Sequence, residues 1–97
     1  MGRIFARIYQ EVRKIPPGQT KTYGEIAHLV GTTPRSVGFA LHRNNNPKDI
    51  PCHRVVFKDG RLAPGYLFGG PNEQKKRLIK EGVVFDRFGK VKALSGI

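Results

Sequence analysis

Residues 22–43 read TYGEIAHLVGTTPRSVGFALHR, and the folding of this stretch decides how the rest of the chain is arranged. Thr22 followed three residues later by Glu25 is a capping box. The threonine hydroxyl can accept from the glutamate amide while the glutamate reaches back to the threonine amide. Ile26, Leu29 and Val30 then supply an apolar stripe at helical spacing, and Gly31 provides a left-handed stop. Thr33-Pro34 reads as the N-cap and first position of a second helix, where the missing proline amide is no loss. Val37, Ala40 and Leu41 face inward from that helix. Two helices joined by Gly31-Thr32-Thr33 have the spacing of a helix-turn-helix, whose second helix enters a DNA groove in proteins that bind DNA. Such pairs also occur in proteins that never touch DNA, so other signals must add to this one.

On the N-terminal side, residues 4–14 put Ile4, Phe5, Ile8 and Val12 on one helical face, ending before the turn signal Pro16-Pro17-Gly18. On the C-terminal side, Asn44-Asn45-Asn46-Pro47 reads as a loop and residues 50–57, IPCHRVVF, as a short strand. The Asp59-Gly60 turn suits a hairpin return. Residues 63–70 form a glycine-rich loop, and a last helix opens near Pro71 and closes at Gly82. A final hairpin is expected around Arg87-Phe88-Gly89, with a flexible tail from about residue 89 to 97. The expectation is one domain over residues 1–97: an α+β, mostly helical, winged helix-turn-helix-like fold with a short β-hairpin.

Charge is the loudest compositional signal. Eighteen Lys and Arg stand against seven Asp and Glu, a net charge of +11, with an isoelectric point near 10.4. Such a surplus repels itself unless a polyanion meets it, which points to nucleic acid. A ribosome-associated protein or a Lys/Arg-rich thermophile surface would share the composition. One cysteine excludes an internal disulfide framework and suits a reducing, intracellular setting. His28, His42 and His53 show no metal-ligand spacing with that cysteine, so neither a metal nor any other cofactor is expected. No apolar run reaches the roughly 20 residues of a membrane span, so no membrane partner is expected.

The single cysteine lies in Ile50-Pro51-Cys52-His53-Arg54-Val55, between a proline and a histidine. A cysteine attacks as thiolate and needs a base or a positive environment. On an extended strand neighbouring side chains diverge, so a direct Cys52–His53 contact would need a bent backbone, or else a bridging water. Pro51 stiffens the approach. A buried structural cysteine beside a solvated histidine is the plain alternative.

Pro51-Cys52-His53-Arg54-Val55 resembles the active-site signature of the 6-O-alkylguanine-DNA alkyltransferases, the methylated-DNA–protein-cysteine methyltransferases. The likeness extends to TYGEIA at 22–27, RSVGFAL at 35–41, Asn44 eight positions before the cysteine, Gly65-Tyr66 after it, and Glu81-Gly82. It covers roughly residues 4–88, and six motifs in order are highly specific. The resemblance implies that Cys52 takes the alkyl group from guanine O-6 in one irreversible displacement. His53 would be the base, through water, and Glu81 would orient the imidazole. Asn44 matches the family's hinge between the helix-turn-helix and the active-site segment; with three asparagines in a row, Asn46 is the other register. Arg35 matches the finger that fills the stack after base flipping, and Tyr23 the tyrosine that pushes the phosphate and donates to the flipped base. Thr22, Ser36 and Gly38 would lie against DNA, with the recognition helix in the minor groove, while Pro51, Val55, Tyr66 and Leu67 would line the substrate pocket.

The departures are specific. The family usually carries an N-terminal domain ahead of this one, Phe39 stands where a small residue is common, and Leu67 stands near a frequent serine. Single-domain relatives include alkyltransferase-like proteins whose cysteine is replaced, whereas this chain keeps Cys52. The implied partner is double-stranded DNA containing alkylated guanine, met by a cytoplasmic, nucleoid-associated monomer, with another repair pathway as a further partner. The rival readings are a lesion sensor with Cys52 idle and a helix-turn-helix regulator that prefers one base sequence.

Overall fold

A computed structural model describes residues 2–62, 66 and 68–92. Gly2–Arg13 forms α1, Lys21–Thr22 β1, Tyr23–Val30 α2, Pro34–His42 α3, Val55–Val56 β2 and Gly70–Lys80 α4. The capping box of α2 is fully formed, with the Glu25 amide donating to Thr22 Oγ1 at 3.0 Å and the Thr22 amide to Glu25 Oε1 at 2.8 Å. Gly31, at φ 84°, ends α2 in the left-handed conformation that side chains resist. Thr33 then caps α3, with Pro34 in its first turn. The helix-turn-helix therefore follows from local chemistry at both of its ends.

The α1–α3 helices pack together around Ile8, Val12, Ile26, Ala27, Val30, Val37, Ala40 and Leu41, all buried. One expected core position differs. Leu29 is half exposed, and Ala27 takes its place at the packed face. On an eight-residue helix the inward arc is narrow, and Ile26, Ala27 and Val30 already fill it. Tyr9 adds a directional tie, its hydroxyl donating to the Ala40 carbonyl at 2.6 Å across α1 and α3.

The cysteine segment is not the strand expected over 50–57. Only Val55–Val56 is extended, and it pairs in parallel with Lys21–Thr22, Lys21 facing Val55. The α2 and α3 helices and the loop after them supply the long connection that a parallel pair needs. At Asp59-Gly60 the chain makes a tight turn, Phe57 donating to the Arg61 carbonyl at 2.9 Å, without a named strand on the return. The hairpin expected around residues 87–89 is reduced to one antiparallel bridge, Phe85 to Val91. That bridge also fastens part of the expected flexible tail: the Val91 amide donates to the Gly60 carbonyl at 2.9 Å. Val91 is buried with Val56, Leu78 and Val83 in a second, smaller core. The mostly helical α+β class and the helix-turn-helix stand as expected, with the wing reduced to these short pieces.

Candidate active site

Two consecutive bends present the cysteine. Pro51, at φ −77° and ψ 70°, makes an inverse γ-turn in which the Cys52 amide donates to the Ile50 carbonyl at 2.7 Å. Cys52–Arg54 follows as a single 3₁₀ turn, the Arg54 amide donating to the Pro51 carbonyl at 3.0 Å. Proline's ring holds φ close to what the first bend needs. This double bend corrects the strand expectation and sends the two side chains apart by a turn. Cys52 is buried in the main core, while His53 is buried toward α4 and Glu81.

Asn44 sits behind the bend. It is buried, its Nδ2 donates to the Ile50 carbonyl at 2.9 Å, and its Oδ1 accepts from the Asn46 amide at 2.9 Å. The Asn44 side chain also lies near enough to the Cys52 thiol to favour its ionised form. Asn44 bridges the end of α3 to the cysteine turn, whereas the Asn46 side chain accepts only a long bond from the Asp49 amide, 3.4 Å. Gln74 performs the matching task from α4, with Nε2 donating to the carbonyls of His53 and Val55 at 3.0 Å each. Sequence reading missed Gln74. Its signal was available, because Gln74 and Leu78 share one buried helical stripe and a polar member of such a stripe needs partners.

Glu81 is the hub of the ionic network. His53 Nε2 lies 3.0 Å from Glu81 Oε2. Arg54 closes a two-pronged pair on the same carboxylate, with Nε 3.0 Å from Oε1 and Nη2 on Oε2. Its remaining prong, Nη1, donates to the Ile15 carbonyl at 2.8 Å, which clamps the segment after α1 to the site. Such fork-to-carboxylate geometry is the strong form of an ion pair. Burial works to raise the Glu81 carboxyl, but the hydrogen bonds from Arg54 and His53 outweigh it and hold the group below its ordinary value. The carboxylate is therefore ionised and accepts from His53 Nε2–H, which leaves Nδ1 as the acceptor nitrogen. Nδ1 is buried without a hydrogen-bond partner among the described residues.

Burial also keeps His53 below its ordinary value, against the Glu81 hydrogen bond and charge that pull upward, with Arg54 and Arg77 adding to the depression. Burial pushes the Cys52 thiol up, countered by the Asn44 side chain, a backbone bond and the Arg77 charge. At neutral pH the site thus holds a neutral thiol and a neutral imidazole. Arg77, also unassigned by the sequence, stacks over the Tyr66 ring at 5.8 Å and lines an open groove of about 560 Å³ with His53, Lys76 and Glu81.

Tyr23 and Tyr66 flank the thiol. Burial, with the nearby Cys52 charge, pushes each phenol up to about 12, so both stay protonated donors at neutral pH. Tyr23 packs on Phe57 with ring centroids 5.3 Å apart, and Tyr66 meets Phe68 edge-on at 5.9 Å. Pro51 and Val55 are buried beside them. Leu67 and Gly65 lie outside the described residues. On α3, Arg35 is exposed and Ser36 and Gly38 half-buried. Thr22 is buried and its hydroxyl caps α2. Among the described residues no cluster of His, Cys, Asp or Glu could hold a metal, and no helix is long and apolar enough to cross a membrane.

A helix-turn-helix followed by a tight turn that carries a buried cysteine and a histidine–carboxylate pair defines a helix-turn-helix domain with a thiol in its core. The chain belongs to the 6-O-methylguanine DNA methyltransferase family, whose DNA-binding-domain model matches residues 3–83. It is 47% identical over 74 residues to the methylated-DNA–protein-cysteine methyltransferase of Metallosphaera sedula, covering 76% of this chain and 45% of that protein. The chain spans about half the length of the curated relatives it matches. Among solved structures, S. pombe Atl1 in complex with damaged DNA containing O6-carboxymethylguanine superposes with a TM-score of 0.78 at 34% identity, over 93% of this chain and 87% of that one. Mycobacterium tuberculosis OGT in complex with DNA gives 0.76 at 36% identity, over 84% and 49%.

Proposed function

We propose that this domain binds double-stranded DNA, flips a 6-O-alkylguanine into the space beside Cys52 and transfers the alkyl group to the Cys52 sulfur. The reading rests on one juxtaposition: a buried thiol on a turn that Asn44 ties to the end of α3, with a neutral His53 held by Glu81 next to it. In the proposed step His53 Nδ1 takes the thiol proton through a water. Sγ attacks the alkyl carbon, the carbon–oxygen bond breaks, Tyr23 donates a hydrogen bond to the departing guanine, and the proton taken by His53 passes to solvent, from which the guanine anion is neutralised. The product is a thioether and an unmodified guanine, so each molecule acts once. Arg54 keeps Glu81 ionised and aimed, a role to add to the expected set.

Intact mass spectrometry after mixing with a methylguanine duplex tests this. A gain of about 14 Da at one equivalent, mapped to the Cys52 peptide, is the expected result. Tight lesion binding with no mass change would select the second reading, a lesion sensor, which the structural likeness to S. pombe Atl1 in complex with damaged DNA favours. We place the protein on DNA as a monomer, and a sensor would in addition need a partner from another repair pathway.

The pH dependence carries a further expectation. His53 must be neutral to accept a proton, and burial keeps it neutral below its ordinary range. The acid limb of the transfer rate should therefore fall at a pH below the model-peptide histidine value of about 6.5. Glu81→Gln removes the groups that pull His53 upward, so this limb should move to still lower pH. The maximal rate should drop on the order of a hundredfold, because the imidazolium formed in the step loses its counter-charge. Single-turnover rates across pH, with thermal melting to confirm the fold, check both. An acid limb that moves upward in Glu81→Gln would contradict the assigned roles.

A further inference from the structure

The exposed face of α3 carries Arg35, Phe39 and Arg43 at helical spacing, i, i+4 and i+8. Phe39 is 50% exposed, and the Arg35 guanidinium lies over its ring, 5.5 Å from the centroid. Arg43 lies over Phe5 of α1 at 5.9 Å. Phe5, Phe39, His42 and Arg43 together line an open hollow of about 610 Å³ between α1 and α3. Single exposed apolar side chains are ordinary on protein surfaces. Phe39 differs in standing at the rim of a hollow.

Two further observations point outward from this face. Gly38, next to Phe39, sits within the helix, where glycine costs about 1 kcal/mol relative to alanine. A Cβ there would meet nothing within 4 Å, so no internal packing requires the glycine. A close approach from outside would. Second, residues 22–43 contain only two of the eighteen Lys and Arg, Arg35 and Arg43. A helix with two cations gains little from phosphate neutralisation and must draw its grip from another kind of contact.

We infer that Phe39 is itself a DNA-contacting residue, its ring entering the groove that α3 faces and packing against a base step beside Arg35. Aromatic and aliphatic side chains act as wedges in this way in minor-groove proteins, partly unstacking a step and bending the duplex. The Arg35–Phe39 stack would hold the guanidinium extended along the helix, so that wedge and cation meet the DNA together. The inference rests on the proposed reading that α3 faces DNA, but does not need alkyl transfer to occur.

Binding of an unmodified duplex, measured by fluorescence anisotropy over a series of salt concentrations, tests it. Phe39→Ala should weaken binding about tenfold at every salt concentration, because a stacking contact is lost. The salt slope should stay at the wild-type value, since no cation is removed. Phe39→Trp should keep the affinity, and Arg43→Ala should lower the slope by about one unit. Donor–acceptor labels on the duplex ends should report less bending with Phe39→Ala than with wild type. If Phe39→Ala melts at a lower temperature, Phe39→Gln decides instead, because it keeps a helix-favouring side chain of some length and removes the apolar wedge. Wild-type affinity in Phe39→Ala alongside weakened binding in Arg35→Ala would overturn this inference alone. No effect from either would overturn the underlying placement of α3 on DNA. A flattened salt slope in Phe39→Ala would reduce the ring to an organiser of nearby cations and would also overturn the inference.

Discussion

Cys52→Ala is expected to abolish alkyl transfer while leaving DNA binding at the wild-type level. The thiol is buried at the foot of α3 and makes no part of the charged surface, and Arg35 and Phe39 lie on the other face of that helix. Among the described residues no second thiol exists, so no residual nucleophile of comparable reactivity can substitute. Loss of one sulfur from the core costs on the order of 1 kcal/mol in buried apolar area, too little to unfold a typical domain. Duplex binding by anisotropy and transfer by intact mass are the two measurements. Loss of both together would make Cys52 a structural residue and dissolve the division between reading and chemistry.

Arg35→Ala should slow transfer on duplex DNA by roughly a hundredfold, with much less effect on a single strand. Extruding a stacked, paired base costs a few kcal/mol, and a planar guanidinium that fills the gap offsets part of that cost. A single strand has little stacking to break, so the finger has little to offset. The structure holds Arg35 at the exposed N-terminal turn of α3, where Thr33 and Pro34 set the helix start and Phe39 supports its side chain. Rates should be compared at saturating protein, since a lost phosphate contact would weaken affinity and be restored by more protein. Equal slowing on both substrates would remove the flipping role and leave a plain cation.

The ionic hub shows why part of the site was hidden. Cys52, His53 and Arg54 are consecutive, yet Arg54 drew no assignment, because its partner Glu81 is 27 residues away. A carboxylate that accepts from a histidine and a guanidinium at once has no local spacing to betray it. Gln74 is a milder case: its place on the buried stripe of α4 was readable, but the carbonyls it serves belong to a turn that had been taken for a strand. The resemblance named Glu81 as partner of His53, while the second partner, Arg54, came only from the folded arrangement.

What the sequence determined by itself was the set of features whose cause is local. The capping box at Thr22 and Glu25, the left-handed Gly31 and the Thr33-Pro34 start each act within four residues, so α2, the turn and α3 could be read directly. The apolar period of α1 and the Pro71 and Gly82 boundaries of α4 were legible for the same reason. Tertiary structure alone decided the path at Cys52. Val, Ile and Phe around it favour an extended strand, but Asn44 from α3 and Gln74 from α4 seize the Ile50, His53 and Val55 carbonyls. Those carbonyls gain partners from outside the segment, so the backbone can bend instead of pairing along its length. The two-residue parallel ladder is what remains of the strand, and the bend is what turns Cys52 into the core and His53 toward Glu81.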